Sequence, residues 1–241
     1  MNPRIGRWLF LTAALVIQPA SAQWPEGGVA VIARGSLTTT VSLAVRPDAV
    51  TPEELASAET YRGMTGAGLE VRIPIVNGDF FLSLSAEYAQ RVVAQQRPYA
   101  FPDSFRLVPV EEGIRFLPFE AGLHAVIPVG SEVFRMSMGM GVGAYYAARI
   151  LRIAGHASSV EGNPVRANLF VTIGFEYRLS PALALEAGVT FRDVETTSDN
   201  RFPAGSFSED GSTGPLPASP LPSRVTVNGM TLTIGLSTDI P

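Results

Sequence analysis

Two histidines, His124 and His156, are the first places to look for chemistry, because the chain has no cysteine. That absence removes thiol catalysis, disulfides and thiolate metal sites. His124 follows Glu120 by four residues, and a His–Glu pair can serve as a general base. Both lie in an alternating segment just ahead of a short turn, where the pair reads better as a satisfied interior group than as a catalytic one. Met136, Met138 and Met140 offer thioethers at alternate positions, a donor type suited to soft metals, but their shared parity places them on an apolar surface. The glycines between and beyond them, in GMGVG, are not a phosphate loop, since no helix and no Lys-Ser/Thr pair follows. No catalytic, cofactor-binding or metal-ligating residue is assigned, and no cofactor is expected.

The remaining chemistry is ionic. Glu70, Arg72, Glu87, Arg91, Glu120, Arg135, Glu176, Arg178, Glu186 and Arg192 stand singly among small or polar neighbours. Both signs occur in similar number. If one face of the protein encloses them, they must pair, because an unpaired buried charge is very costly.

The elements that carry them have period two, the signature of strands. In FRMSMGMGVGAYYAAR (134–149), Phe134, Met136, Met138, Met140, Val142, Ala144 and Tyr146 share one parity. Arg135, Ser137, Gly139, Gly141, Gly143 and Tyr145 share the other. A strand sorts these residues onto two faces, whereas a helix would scatter them. The same sorting recurs around Leu69–Ile75, Phe80–Tyr88, Leu117–Ile127, Leu169–Tyr177, Leu183–Phe191 and Met230–Leu236, and less cleanly at Leu37–Val45. About eight strands result.

Their connections alternate in length. Short turns fall at Val76–Asp79, Val129–Glu132 and Leu179–Ala182, the first containing Asn-Gly, a strong hairpin signal. Longer polar links occupy roughly 46–66, 94–112, 150–166 and 196–224. The last is rich in Pro, Gly and Ser and is expected to be a mobile loop.

The N-terminus reads as a secretory signal. Arg4 and Arg7 precede an apolar run of about ten residues, and Ala20-Ser21-Ala22 forms a cleavage site. The run is far shorter than the roughly 20 residues of a spanning helix. Cleavage after Ala22 leaves a single domain, 23–241, exported from the cytoplasm. Its 22 acidic residues outnumber the basic ones, all of which are arginine. No basic patch is visible in the sequence, which argues against nucleic acid as a partner. No later segment is apolar for long enough to be a transmembrane helix.

Alternation alone does not say which face is inside. An eight-stranded barrel has an interior only just wide enough for side chains. The small and charged face fits such an interior, whereas bulky residues from eight strands would crowd it. The apolar face also ends in aromatics: Phe80 and Tyr88, Phe134 and Tyr146, with Tyr177 and Phe191 on neighbouring segments. Eight to twelve residues between them rise about 20–30 Å, which brackets the apolar band of a membrane barrel with an aromatic girdle at each interface. The expected fold is therefore all-β, an eight-stranded antiparallel up-and-down transmembrane β-barrel. Its short turns and both termini are expected to be periplasmic and its long loops extracellular.

On the signal peptide, the eight alternating segments, the VNGD turn and the loop asymmetry, residues 29–238 resemble the small outer-membrane barrels of the OmpA-transmembrane-domain, OmpX and OmpW kind. That resemblance implies the outer membrane of a Gram-negative-type bacterium, contact with outer-membrane lipid and insertion by the barrel assembly machinery. It implies a non-enzymatic structural or interaction role with little or no open pore, and leaves open an extracellular or small hydrophobic ligand. One departure is the end of the last strand, TLTIGLSTDIP, which lacks the terminal aromatic common in such barrels. Two alternatives have other expectations: a soluble periplasmic lipocalin-like binding barrel, and a lipid A-modifying barrel enzyme. The second rests on His156-Ala157-Ser158, which resembles the His-x-Ser element of lipid A deacylases.

Overall fold

The computed structural model describes residues 28–45, 58–75, 79–102, 104–131, 133–209 and 211–240. The expected signal peptide and the Asn77-Gly78 turn lie outside the described residues. The strands are β1 (Val29–Ala44), β2 (Glu59–Ile75), β3 (Phe80–Ala100), β4 (Phe105–Ile127), β5 (Phe134–Ile153), β6 (His156–Ala157) and β7 (Ser159–Glu161). They continue with β8 (Val165–Ser180), β9 (Leu183–Arg192), β10 (Val194–Arg201), β11 (Ser206–Glu209), β12 (Ser212–Pro215), β13 (Leu221–Val227) and β14 (Met230–Ile240).

Eight of these, β1–β5, β8, β9 and β14, form a ring in which each pairs antiparallel with the next. The ring closes where β14 meets β1, from Val29 opposite Ile240 through Thr38 opposite Thr231. Closure leaves the ring no unpaired edge. The chain is thus the expected eight-stranded up-and-down barrel. The last strand pairs with the first, which fixes the number of ring strands at eight. The described chain ends, Val29 and Ile240, lie together at the end that carries the short turns.

At the other end the strands outrun the ring. The expected link at 94–112 is instead the top of a long hairpin, with β3 and β4 paired up to Ala100 opposite Phe105. The expected loop at 196–224 is also largely paired strand. Leu183 opposite Thr238, Val194 opposite Val227 and Ser206 opposite Pro215 all belong to one register. The described residues of 183–238 therefore follow one hairpin register, with the strand pairing interrupted at 202–205 and 216–220. The reason is burial: Phe202, Phe207 and Leu216 pack with Phe101, Val108, Val110, Leu151 and Ile153 in a small core between the two projecting hairpins. That apolar burial overrides a loop-like composition of Pro, Gly and Ser.

Below this cap lies a second, larger cluster. Val41, Leu43, Tyr61, Met64, Ile114, Phe116, Tyr145, Val194, Val225 and Val227 fill the interior where the ring meets its extensions. Val41 and Leu43 correct an expectation, since by parity they belong with Leu37 on the outer face. Leu37 is exposed, but Val41 and Leu43 are buried. The switch occurs where β1 and β2 pass Thr39 and Gly63: Thr38 pairs with Met64, and Thr40 with Arg62. Gly63 has φ +71°, a left-handed conformation that favours glycine. After it, both strands present the other face inward.

Candidate functional site: apolar belt and ionic interior

Outside the ring, the odd-numbered residues of β4 and the even-numbered residues of β5 form part of an apolar belt that all eight strands share. Met140 is 60% exposed, Leu69 59% and Ile234 63%, values that would be anomalous for so many large apolar side chains facing water. On β4 the belt runs from Ile127 to Leu117, after which the outward residues become Arg115 and Glu111. Ten steps of about 3.3 Å, tilted about 40°, span about 25 Å. The six aromatics lie on this surface: Phe80, Phe134 and Tyr177 toward the turn end, and Tyr88, Tyr146 and Phe191 toward the hairpin end. Phe134 and Tyr146 are half-buried, and the other four are exposed. The methionines of FRMSMGM are belt residues too. Among the described residues no group of three or more His, Cys, Asp or Glu is arranged to hold a metal.

Inside the ring the charges meet. Arg72, from β2, reaches three carboxylates: Glu70 at 2.6 Å, Glu186 at 2.9 Å and Glu176 at 3.4 Å. Glu176 and Glu186 sit directly opposite one another on β8 and β9, a like-charge pair that is unfavourable by itself. Arg72 crosses the lumen to neutralise it. Arg34 of β1 pairs with Glu70 from the other side. Arg135 lies opposite Glu176 on β5. Nearer the chain ends, Arg178 pairs with Asp239 at 3.0 Å and donates to the Pro181 carbonyl oxygen at 2.8 Å.

A second group lies higher. Glu120 takes an ion pair from Arg192 at 3.1 Å and a hydrogen bond from the Tyr145 hydroxyl at 2.9 Å. Glu87 is buried, and its carboxylate accepts a hydrogen bond from the Ser36 hydroxyl at 2.5 Å. Its partner is thus a hydroxyl rather than an expected guanidinium. Arg91 keeps the expected parity, opposite the buried Ile114, but is not enclosed. It is exposed, because β2 and β3 stop pairing at Thr65 opposite Gln90 and the wall that would enclose it is absent. The other nine candidates all face the lumen.

His124 does not pair with Glu120. Its Nε2 lies 2.7 Å from the Ser83 hydroxyl, and its ring stacks on Phe81 at 4.5 Å. The pair is walled in, and the polar cavity beside it has a volume of about 40 Å³, room for a few waters and not for a substrate. The His-x-Ser element is not assembled either. His156 is exposed on β6, while the Ser158 hydroxyl donates to the Leu151 carbonyl at 3.0 Å and accepts from the Asn200 amide at 2.9 Å.

Several interior residues are not among the ten charged candidates. Arg34 shares parity with Ser36 and Thr38 and could have been found by extending the pattern of β1 backward. Phe81, Phe116, Tyr145 and Phe170 point inward, so the inner face is not uniformly small. Aromatic rings alternate with glycines that make space for them: a Cβ on Gly143 would lie 2.4 Å from the Tyr145 ring, and one on Gly139 2.4 Å from the His124 ring. Above the belt, Glu112 is fully buried between Arg149 and Arg97, the latter at 2.6 Å. This cluster falls partly in a segment that reads as a link. Beside it, burial and then the Glu112 and Glu59 carboxylates push the Tyr61 phenol well above its ordinary range.

No family model matches the chain, and no curated protein matches it. Three solved structures share its outline. Ail, the attachment invasion locus protein of Yersinia pestis, solved with the heparin analogue sucrose octasulfate, is 12% identical, with 90% of this chain and 100% of that one covered and a TM-score of 0.47. Neisserial surface protein A is 11% identical, with 88% and 97% covered and a TM-score of 0.46. The outer membrane protein AlkL, solved in lipid bilayers, is 12% identical, with 100% and 97% covered and a TM-score of 0.44. Likenesses of this size do not establish kinship. The closed ring of strands establishes the fold by itself: an all-β, eight-stranded antiparallel barrel with an apolar exterior and an ion-paired interior.

Proposed function

We propose that the chain is a transmembrane barrel of a Gram-negative-type outer membrane, non-enzymatic and closed to solute flow, which carries a rigid two-hairpin cap on its extracellular side. The observation behind this reading is the polarity of the ring, apolar outward on every strand and ionic inward. A water-soluble barrel has the reverse arrangement. Termini and short turns then lie in the periplasm, and the barrel assembly machinery inserts the chain. The filled interior supports the absence of a pore, since the apolar cluster above the ionic network leaves no lumen for solutes. A lipocalin-like binding role is disfavoured by the same filling, because ligand pockets run to about 300–1,000 Å³ and the interior cavity is about 40 Å³. The unassembled His156 and Ser158 likewise give no support to a lipid A-modifying activity. The cap supports a display or interaction role at the cell surface.

Fractionation of cells expressing the full chain tests this. The protein should sediment with outer membranes, need detergent for release, and migrate faster unboiled than boiled on a denaturing gel. Recovery in the soluble periplasm would refute the membrane reading. In planar bilayers the purified barrel should give little conductance, and discrete channel openings would refute the closed interior.

A further inference from the structure

The belt is not the last apolar surface on the outside of the barrel. The β3–β4 hairpin keeps one register from Phe80 opposite Ala125 to Ala100 opposite Phe105, so its outer face carries the belt's parity up into the cap. Its inner face packs through Val108 and Val110 into the core between the hairpins, and the outer face points away from the barrel axis. There, beyond the Glu111–Arg152 ion pair at 2.8 Å, three cross-strand pairs follow one another: Gln96 with Pro109, Pro98 with Leu107 and Ala100 with Phe105. All six residues are exposed and none is charged. Leu107 is 62% exposed and Phe105 79%, the highest value for a large apolar side chain among the described residues.

Lipid tails do not reach this face. Leu107 stands ten residues beyond Leu117, where the belt ends, and ten steps of about 3.3 Å tilted about 40° raise it about 25 Å above the belt. The other projecting hairpin is built differently. Its outward residues include Glu195, Asp199, Arg201 and Arg224, with Glu195 paired to Arg224 at 3.5 Å and Arg201 to Glu161 at 3.1 Å. An ionic outer face is well solvated, whereas a neutral apolar patch of several hundred Å² marks a contact site.

We infer that the outer face of the β3–β4 hairpin is the contact through which two copies of this chain pair side by side in one membrane, about a two-fold axis along the membrane normal. The inference rests on the membrane reading above and adds a partner to it. Barrels inserted in one direction carry their patches at the same height and facing sideways, the geometry that a self-complementary two-fold contact needs. Their shared orientation also removes much of the freedom that association otherwise costs. Because the patch is neutral, two copies of a chain with net charge −4 meet there without like-charge repulsion. With the exposed Val92 and Ala94 below them, the six residues offer about 500–600 Å² per copy. Two copies then bury about 1,100 Å² in total, above the roughly 1,000 Å² of a specific interface.

The chain has no cysteine, so one introduced thiol reports contact between copies. Full-length Gln96→Cys, within the patch, is refolded into phosphatidylcholine vesicles at high dilution in lipid and then oxidised. Thr197→Cys, exposed on the outer face of the other hairpin, reports random collision. Gln96→Cys should give disulfide-linked dimer at about fivefold or more the yield of Thr197→Cys, and adding F105D/L107D should remove most of that excess. All substitutions are at exposed positions, and the gel shift on heating reports that each variant has folded. Equal yields at the two positions, or an excess that survives F105D/L107D, would overturn the inference while leaving the membrane reading intact. Photo-crosslinking from position 96 in whole cells separates the other occupants. A product at twice the mass of the chain is expected; a product with a different protein or with a surface lipid in its place would overturn the inference. Failure of wild type to insert into vesicles at all would overturn both.

Discussion

Arg72→Met isolates the principle on which the interior depends. Arg72 is the guanidinium shared by Glu70, Glu186 and Glu176, but the three carboxylates would not suffer equally from its loss. Glu70 keeps Arg34, and Glu176 keeps Arg135 across the β5–β8 pair. Glu186 has no other ion pair among the described residues, and it faces Glu176 directly. Removing one partner of a buried pair costs about 3–5 kcal/mol, chiefly because a charge is left without compensation. One carboxylate is stranded rather than three, so the expected loss is about 3 kcal/mol. The double variant R72M/E186Q removes the stranded charge together with its partner and should recover about 2 kcal/mol of that. The assay is urea unfolding of the refolded barrel in vesicles, followed by the heat-modifiable gel band and by circular dichroism. A single variant within about 0.5 kcal/mol of wild type, or a double variant no better than the single, would refute the claim that the network neutralises a buried like-charge pair.

Ile234 lies mid-belt and is 63% exposed; Ile234→Arg should destabilise the bilayer-embedded barrel by about 2–4 kcal/mol, whereas a soluble barrel would tolerate it. A Cβ on Gly141 would lie 2.1 Å from the Ala121 carbonyl oxygen, so Gly141→Ala should cost about 3 kcal/mol or more, while the adjacent Met140→Leu leaves the urea midpoint nearly unchanged. Gly63→Ala should cost about 1–2 kcal/mol because of its left-handed φ, read as a lower melting temperature. The raised Tyr61 phenol favours its protonated form in the folded state. That contribution is whole below the ordinary tyrosine range of about 10 and is lost as pH rises above it, so Tyr61→Phe should flatten the alkaline decline in stability.

The sequence by itself determined the strand character, the number of ring strands and the sorting of each strand into two faces. These follow from period two, a local property that survives without knowledge of neighbours. Nine of the ten proposed interior charges are enclosed by the ring, and all six aromatics lie on its outer face, as the alternation assigns them. The tenth, Arg91, failed because exposure there depends on where β2 and β3 part, which is a property of two strands and not of one.

Which charge meets which was decided only in three dimensions. Arg72 and Glu186 are 114 residues apart, and nothing local distinguishes Glu186 from the other acids. Closure of the ring brings them together, and their removal from bulk water makes the pairing obligatory. The cap was equally invisible, because its paired strands are held by a core assembled from three distant segments, against their own loop-like composition. Gly63 shows the limit most plainly. One residue with a left-handed backbone exchanges inside for outside on two strands, and only the packing of Val41 and Leu43 against Phe116 and Tyr145 reveals that it has done so.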